Sequence, residues 1–226
     1  MKLKLTFLSD THNYQKLLPI QMLGTGDIVF HSGDISSRGF EFEVRNFLDW
    51  YNSLKYTYKV FIAGNHDLSF EHKPELIQEI LEEYPDIIYL EDSLVEILGL
   101  KVYGAPWQPE FYDWAFNLPR NGPELEEKWS KIPDDTDVLL THGPPHKIND
   151  TVVNRPENLG CEKLLGRVLE VKPLIHSFGH IHTGRGIKDF NGTLFLNSSI
   201  LDERYRITYP PHRLELDLQT KEIELL

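Results

Sequence analysis

Five apolar runs in this chain each stop at a short polar word, and that repeated punctuation restricts the fold more than any bulk property. The words are Asp10-Thr11-His12, Gly33-Asp34, Gly64-Asn65-His66-Asp67, Thr141-His142-Gly143 and Gly179-His180-Ile181-His182. The runs before them are Leu3 to Leu8, Asp27 to His31, Lys59 to Ala63, Val138 to Thr141 and Leu174 to Phe178. Their Val, Ile, Leu and Phe content reads as buried strands. Leu194 to Asn197 is a further strand of this kind. Ile87 to Leu90, Leu94 to Leu98 and Lys101 to Tyr103 are shorter candidates. His212 to Leu218 and Glu222 to Leu225 read as an antiparallel hairpin.

Helical spacing appears between the runs. Glu41 to Leu54 carries Phe42, Val44, Phe47, Leu48 and Tyr51 near a 3.6-residue period. Pro74 to Tyr84 opens on a proline suited to a first helical turn. Glu124 to Ile132 and Leu159 to Val171 complete the set. Strand and helix alternate in the first half, which implies parallel pairing. The late strands lack helices between them and imply an antiparallel addition. The expected fold is α/β: a four-layer α/β/β/α sandwich of two mixed sheets flanked by helices. No domain boundary is visible, so a single domain over residues 1–226 is expected.

Composition removes several classes of function. With 40% hydrophobic residues the chain can bury a sizeable core. Its 23 basic and 35 acidic residues leave a net charge of −12, which repels a polyphosphate backbone at long range. Nucleic acid is therefore an unlikely partner. The single cysteine, Cys161, rules out an intramolecular disulfide and fits a reducing compartment. No stretch approaches the ~20 apolar residues of a membrane span. A cytoplasmic protein with no membrane partner is expected.

Each polar word has a plain structural reading, as a turn or a helix cap, and also a chemical one. In extended backbone, residues i and i+2 share a side, so Asp10 and His12 could hold one metal. Gly33 allows a sharp turn, and the two carboxylate oxygens of Asp34 could bridge two metals. Asn65 offers a neutral oxygen. His66, if it does not ligate, can give or take a proton, and Asp67 could orient a neighbour. His142, His180 and His182 stand at two further strand ends. Open α/β sheets bind ligands at the carboxyl ends of their strands, so these words should converge on one cleft. Carboxylate, amide and imidazole without thiolate suit Mn, Fe, Zn, Ni or Co better than a Cys-type zinc site.

In this order, D-x-H, G-D, G-N-H-D, H and G-H-x-H, the words resemble the calcineurin-like metallophosphoesterase superfamily across Asp10 to His182. Further words narrow the resemblance to the branch of metallophosphoesterase domain-containing proteins. They are Ile62-Ala63-Gly64-Asn65-His66, Tyr103-Gly104-Ala105-Pro106-Trp107, Phe116-Asn117-Leu118-Pro119-Arg120 and Thr141-His142-Gly143-Pro144-Pro145. The resemblance implies two divalent cations, manganese foremost, with magnesium also admissible. One would take Asp10, His12, Asp34 and His182. The other would take Asp34, Asn65, His142 and His180. Asp34 and a hydroxide would bridge them, and His66 would protonate the leaving oxygen. The branch is associated with phosphodiester hydrolysis, cyclic nucleotides included, so a small phosphoester is the expected substrate.

One stretch departs from the superfamily. Its protein phosphatases read G-D-x-x-D-R-G, where this chain has Gly33-Asp34-Ile35-Ser36-Ser37-Arg38-Gly39. Arg38 matches the phosphate-gripping position, but Ser37 replaces the carboxylate that orients the catalytic histidine. A phosphomonoesterase and a non-catalytic scaffold of the same fold are the competing readings. The aromatic stretch Trp107, Phe111, Tyr112, Trp114 and Phe116 could wall a base pocket or plug a long loop. His31, His72, His146, His176 and His212 carry no motif role, with His146 the nearest to an exception.

Overall fold

Alternating strand and helix in the first ninety residues produce what the pattern implies, four parallel strands with helices crossing between them. The structure, a computed structural model, describes residues 1–153 and 157–226. Along the chain run β1 (Lys2–Leu8), a short α1 (Ile20–Leu23), β2 (Gly26–Ser32), α2 (Glu41–Asn52) and β3 (Tyr56–Ile62). Next come α3 (Leu68–His72), α4 (Pro74–Glu82), β4 (Ile87–Tyr89), β5 (Ser93–Ile97) and β6 (Leu100–Ala105). The two-residue strands β7 (Gln108–Pro109) and β8 (Asn117–Leu118) precede α5 (Pro123–Ser130), β9 (Val138–Thr141) and α6 (Glu162–Val171). The chain then closes with β10 (Ile175–Phe178), β11 (Gly186–Phe190), β12 (Thr193–Asn197), β13 (His212–Asp217) and β14 (Ile223–Leu225).

Two six-stranded sheets result, in the orders β14-β13-β1-β2-β3-β4 and β11-β12-β10-β9-β6-β5. They pack face to face because each strand alternates between two apolar layers. Leu3, Leu5, Phe7, Ile28, Phe30, Val60 and Ile62 face Val102, Val138, Leu140, Ile175 and Leu196 between the sheets. The opposite face of the first sheet, with Val29 and Phe61, is covered by Val44, Phe47, Leu48 and Tyr51 of α2 and Ile77 and Ile80 of α4. The second sheet presents Tyr103, Leu139, Phe178 and Phe195 to Leu125 and Trp129 of α5 and Leu164 and Val168 of α6. The order is helix, sheet, sheet, helix, the expected four-layer sandwich. Phe7 and Phe30 stack at 4.7 Å in its middle, and replacing either by alanine would cost ~3–5 kcal/mol.

Several boundaries differ from the sequence pattern. The helix expected from Leu159 begins only at Glu162, because the buried Cys161 Sγ caps it by accepting from Leu164 N at 3.4 Å. The expected strand at Leu194 is present but pairs parallel to β10, not antiparallel. The chain returns through the unforeseen edge strand β11, which pairs antiparallel to β12. The expected terminal hairpin is present, with β13 antiparallel to both β1 and β14. Among the described residues no helix is long and apolar enough to cross a membrane.

Candidate metal centre

Every polar word leaves the carboxyl end of a parallel strand. β1 leads to Asp10 and His12, β2 to Asp34, β3 to Asn65 and His66, β9 to His142, and β10 to His180 and His182. Since β1, β2 and β3 are parallel in one sheet, and β9 and β10 in the other, the five ends meet at one edge of the sandwich. The backbone there is bent sharply. Asp10, His12, Asp34 and His180 have φ of 56°, 43°, 56° and 64°. Such left-handed positions cost non-glycine residues of order 1 kcal/mol or more and concentrate at functional sites. Gly33, at φ 95°, is required in a second way: a Cβ there would lie 2.6 Å from Ala63 O and from His142 Nδ1.

The side chains gather in two groups, and the Asp34 carboxylate of the second also reaches His12 of the first. Asp10, His12 and His182 have ligand atoms in mutual reach, and so do Asp34, His142 and His180. His12 Nε2 lies 4.0 Å from Asp10 Oδ1 and 3.4 Å from Asp34 Oδ2, and His182 Nε2 lies 3.4 Å from Asp10 Oδ1. His142 Nε2 lies 3.3 Å from Asp34 Oδ2 and 2.9 Å from Asn65 Oδ1. His180 Nδ1 is 2.8 Å from that same Asn65 oxygen. All seven residues expected as ligands are brought together. His66 also stands within ligand range of His12 and Asp34.

Main-chain carbonyls set the direction of two imidazoles. His142 Nδ1 meets Ser32 O at 2.9 Å, and His182 Nδ1 meets Asp202 O at 3.0 Å. A carbonyl only accepts, so Nδ1 carries the hydrogen in both rings. In the neutral ring, Nε2 then points a lone pair at oxygens that are themselves acceptors. Converging acceptors are stable only around a positive charge. Burial opposes charge on His142, yet neighbouring Asp34 outweighs it and lifts the pKa to about 9. Asp34 is held well below the carboxylate range against burial by His142, His66 and His12. His12 is 2% exposed, neither of its ring nitrogens has a hydrogen-bond partner among the described residues, and burial pushes its pKa down to about 4. Buried, unpartnered nitrogens beside anionic oxygens fit a divalent cation, for which neutral imidazole and ionised carboxylate are the required forms.

His66, Asp67 (expected to orient a neighbour) and Arg38 (expected to grip phosphate) are placed differently. His66 Nδ1 donates to Ser37 O at 2.8 Å, which leaves Nε2 for the cleft. Asp67 does not touch the His66 ring. Its buried carboxylate accepts from Gly64 N, Ser36 N, Ile35 N and Ser36 Oγ, so it fastens the Gly33 loop to the Gly64 turn. Burial, then the nearby Asp34 charge, raise its pKa to about 7. Arg38, expected at a phosphate, is exposed and does not line the cleft. Its N donates to Glu43 Oε2, and its guanidinium carbon lies 5.5 Å from the Trp114 ring centroid.

The cleft over the two groups holds about 580 Å³. Phe111, Pro144, Leu159 and Tyr205 give it apolar walls, and Gln108, Arg120, Thr183 and Glu203 give it polar ones. The aromatic stretch divides. Phe116 is buried with Trp107 against it, a plug, whereas Phe111 stands edge-on to His180 at the rim. His146 does not line the cleft; its Nδ1 lies 3.5 Å from Glu162 Oε1. Tyr205, which meets His12 and His182 edge-on, and the Ser37 and Asp202 carbonyls have no signature in the sequence.

Comparison with known proteins agrees with this geometry. The sequence profile of the calcineurin-like phosphoesterase family matches residues 3–184. The human protein named metallophosphoesterase domain-containing protein 1 is 40% identical over 234 residues, covering 94% of this chain and 70% of that protein. Its mouse counterpart matches to the same extent. In fold, the crystal structure of TT1561 of Thermus thermophilus superposes with a TM-score of 0.68 at 14% identity, covering 100% of this chain and 99% of that one. On these matches and on its architecture, the chain belongs to the calcineurin-like phosphoesterase family, whose chemistry is metal-dependent phosphoester hydrolysis.

Proposed function

We propose that this protein is a dinuclear-metal phosphodiesterase for small phosphodiesters, cyclic nucleotides among them, working with manganese in the cytoplasm. The observation that carries the reading is the Asp34 carboxylate, set between His12 at 3.4 Å and His142 at 3.3 Å and so common to both ligand groups. Asp10, His12, Asp34 and His182 would hold one cation, and Asp34, Asn65, His142 and His180 the other. When bound, such a pair acidifies a water and polarises phosphate oxygens. The water oxygen joins phosphorus as the ester P–O bond opposite it breaks. As the imidazolium, His66 would give its Nε2 proton to the departing oxygen, keep the Nδ1–H held by Ser37 O, and be reprotonated from solvent, a role worth ~10²–10⁴ in rate.

Charge in the cleft supports a diester over a monoester. Arg120 is the one guanidinium among the described lining residues, and its nitrogens are taken up by Leu159 O, Gly160 O and Glu162. Glu110 and Glu203 also face the cleft. A monoanionic diester suits that field better than a dianionic monoester. The free, buried Cys161 supports the reducing compartment.

The test is hydrolysis of bis-p-nitrophenyl phosphate and p-nitrophenyl phosphate side by side, with Mn²⁺ supplied to metal-stripped protein. Preference for the diester, lost on chelation, is expected. Preference for the monoester would overturn the diester specificity. Inactivity on both with two metals bound would favour the scaffold reading.

A further inference from the structure

Among the described residues His66 makes one hydrogen bond through its ring, from Nδ1 to Ser37 O at 2.8 Å. One bond fixes a point and leaves the imidazole free to swing about it. A second restraint comes from the segment between β6 and α5, which supplies none of the seven expected ligands. Trp114 stacks on the His66 ring with centroids 3.9 Å apart and planes at 28°. The stack is fastened beside its base, because Ala115 N donates to Asn65 O at 3.1 Å. One residue further on, Phe116 N donates to Glu71 Oε2 at 2.8 Å. Arg38 meets the same indole, and His12 meets the His66 ring edge-on at 4.6 Å.

We propose that Trp114 is a positioning residue: its indole face and the Ser37 carbonyl together fix the His66 ring so that Nε2 faces the leaving oxygen. The inference rests on the reading of His66 as proton donor. It gives the segment between β6 and α5 a task besides walling the cleft. A carbonyl and an aromatic face do here, by direction and by contact, what the missing carboxylate at position 37 does not. Proton transfer depends steeply on alignment, and a displacement of about 1 Å can cost ~10²-fold. The loss falls on substrates that need the proton, not on binding.

The experiment uses the full chain loaded with Mn²⁺ and aryl methyl phosphates graded from p-nitrophenyl to phenyl, on wild type, Trp114→Ala, Trp114→Phe, His66→Ala and the Trp114→Ala/His66→Ala double variant. Trp114→Ala should lower kcat for the phenyl ester by ~10–10²-fold with KM unchanged, and lower it little for the nitrophenyl ester. Trp114→Phe should restore most of the loss, and the double variant should be no slower than His66→Ala. Independently of turnover, the His66 Cε1–H resonance of the metal-stripped chain should show a ring-current shift that Trp114→Ala abolishes. A uniform loss across leaving groups, a change in KM alone, or no ring-current shift would overturn the positioning role. If His66→Ala itself shows no leaving-group dependence, the proton-donor reading fails and this inference falls with it.

Discussion

The metal cleft and the polar seam just beneath it are both built on buried histidines and differ in what meets each imidazole. In the seam, His31 of β2 and His176 of β10 are fully buried, and each meets a threonine of the adjoining strand end. His31 Nε2 is 3.0 Å from Thr11 Oγ1, and His176 Nε2 is 2.8 Å from Thr141 Oγ1. Ser32 Oγ reaches Ser177 Oγ at 2.8 Å, and that reaches Ser198 Oγ at 2.9 Å, a hydroxyl chain running from one sheet to the other. A hydroxyl can donate or accept, so each seam Nε2 is met by a neutral group, while His31 Nδ1 and His176 Nδ1 stay without a hydrogen-bond partner among the described residues, and burial pushes both histidines down to about 3. In the cleft carboxylates, which only accept when ionised, stand beside the rings: His142 is held up at about 9 by Asp34, while burial still pushes His12 down to about 4 and His180 down to about 3. What sets the cleft apart is ionised carboxylates beside several imidazoles at once; the seam has only hydroxyls.

The largest effect should come from removing the shared carboxylate. Asp34→Asn should lose metal at both sites and bring turnover to background, measured by metal analysis and diester hydrolysis. Two full equivalents in that variant would remove the bridge. The matching change in the seam, His176→Ala, should keep both metals and lower stability by ~1–3 kcal/mol in urea unfolding, because Thr141 Oγ1 loses one of its two hydrogen bonds and a buried ring is removed. Loss of metal there would erase the distinction between the two layers. Next in size, His66→Ala should keep fold and metal and lose ~10²–10⁴ in turnover, separating proton delivery from ligation. If His66 is instead a ligand, as its reach to His12 and Asp34 allows, metal content will fall with activity.

Two smaller effects follow from protons. His142 holds its proton up to about pH 9, so a cation must displace it, and metal affinity should fall as pH drops below 9, by about tenfold per unit for one released proton. Calorimetry in buffers of different ionisation enthalpy reads that proton directly. The seam titrates with the opposite sign. Its histidines have folded pKa values of about 3 against 6.5 unfolded. The unfolded chain therefore binds more protons between pH 6.5 and 3, and stability falls with decreasing pH by up to about 1.4 kcal/mol per unit for each histidine. A flat profile over that window would show that the seam is hydrated.

Much of this arrangement was legible in the sequence, because ligands that serve one cleft must leave the carboxyl ends of parallel strands, and side chains mark those ends. The two sheets follow from strands whose two faces are both buried. Other features leave no such mark. The β11 strand lies half in solvent with little apolar alternation, and a cysteine is an unusual helix cap, so Gly186–Phe190 and the start at Glu162 escaped the pattern. The groups that aim His66, His142 and His182 are carbonyls of Ser37, Ser32 and Asp202, and a carbonyl has the same sequence signature at every residue. Asp67 and Arg38 were read by their side-chain chemistry, whereas their bonds run to main chain, to a helix-capping glutamate and to an indole.

Titration of the metal-stripped chain with Mn²⁺, following bound equivalents and bis-p-nitrophenyl phosphate turnover in the same samples, tests the shared-carboxylate centre most directly. Two equivalents bound, with turnover rising only as the second fills, is the expected result. Saturation of turnover at one equivalent, or tight binding of one ion only, would contradict it.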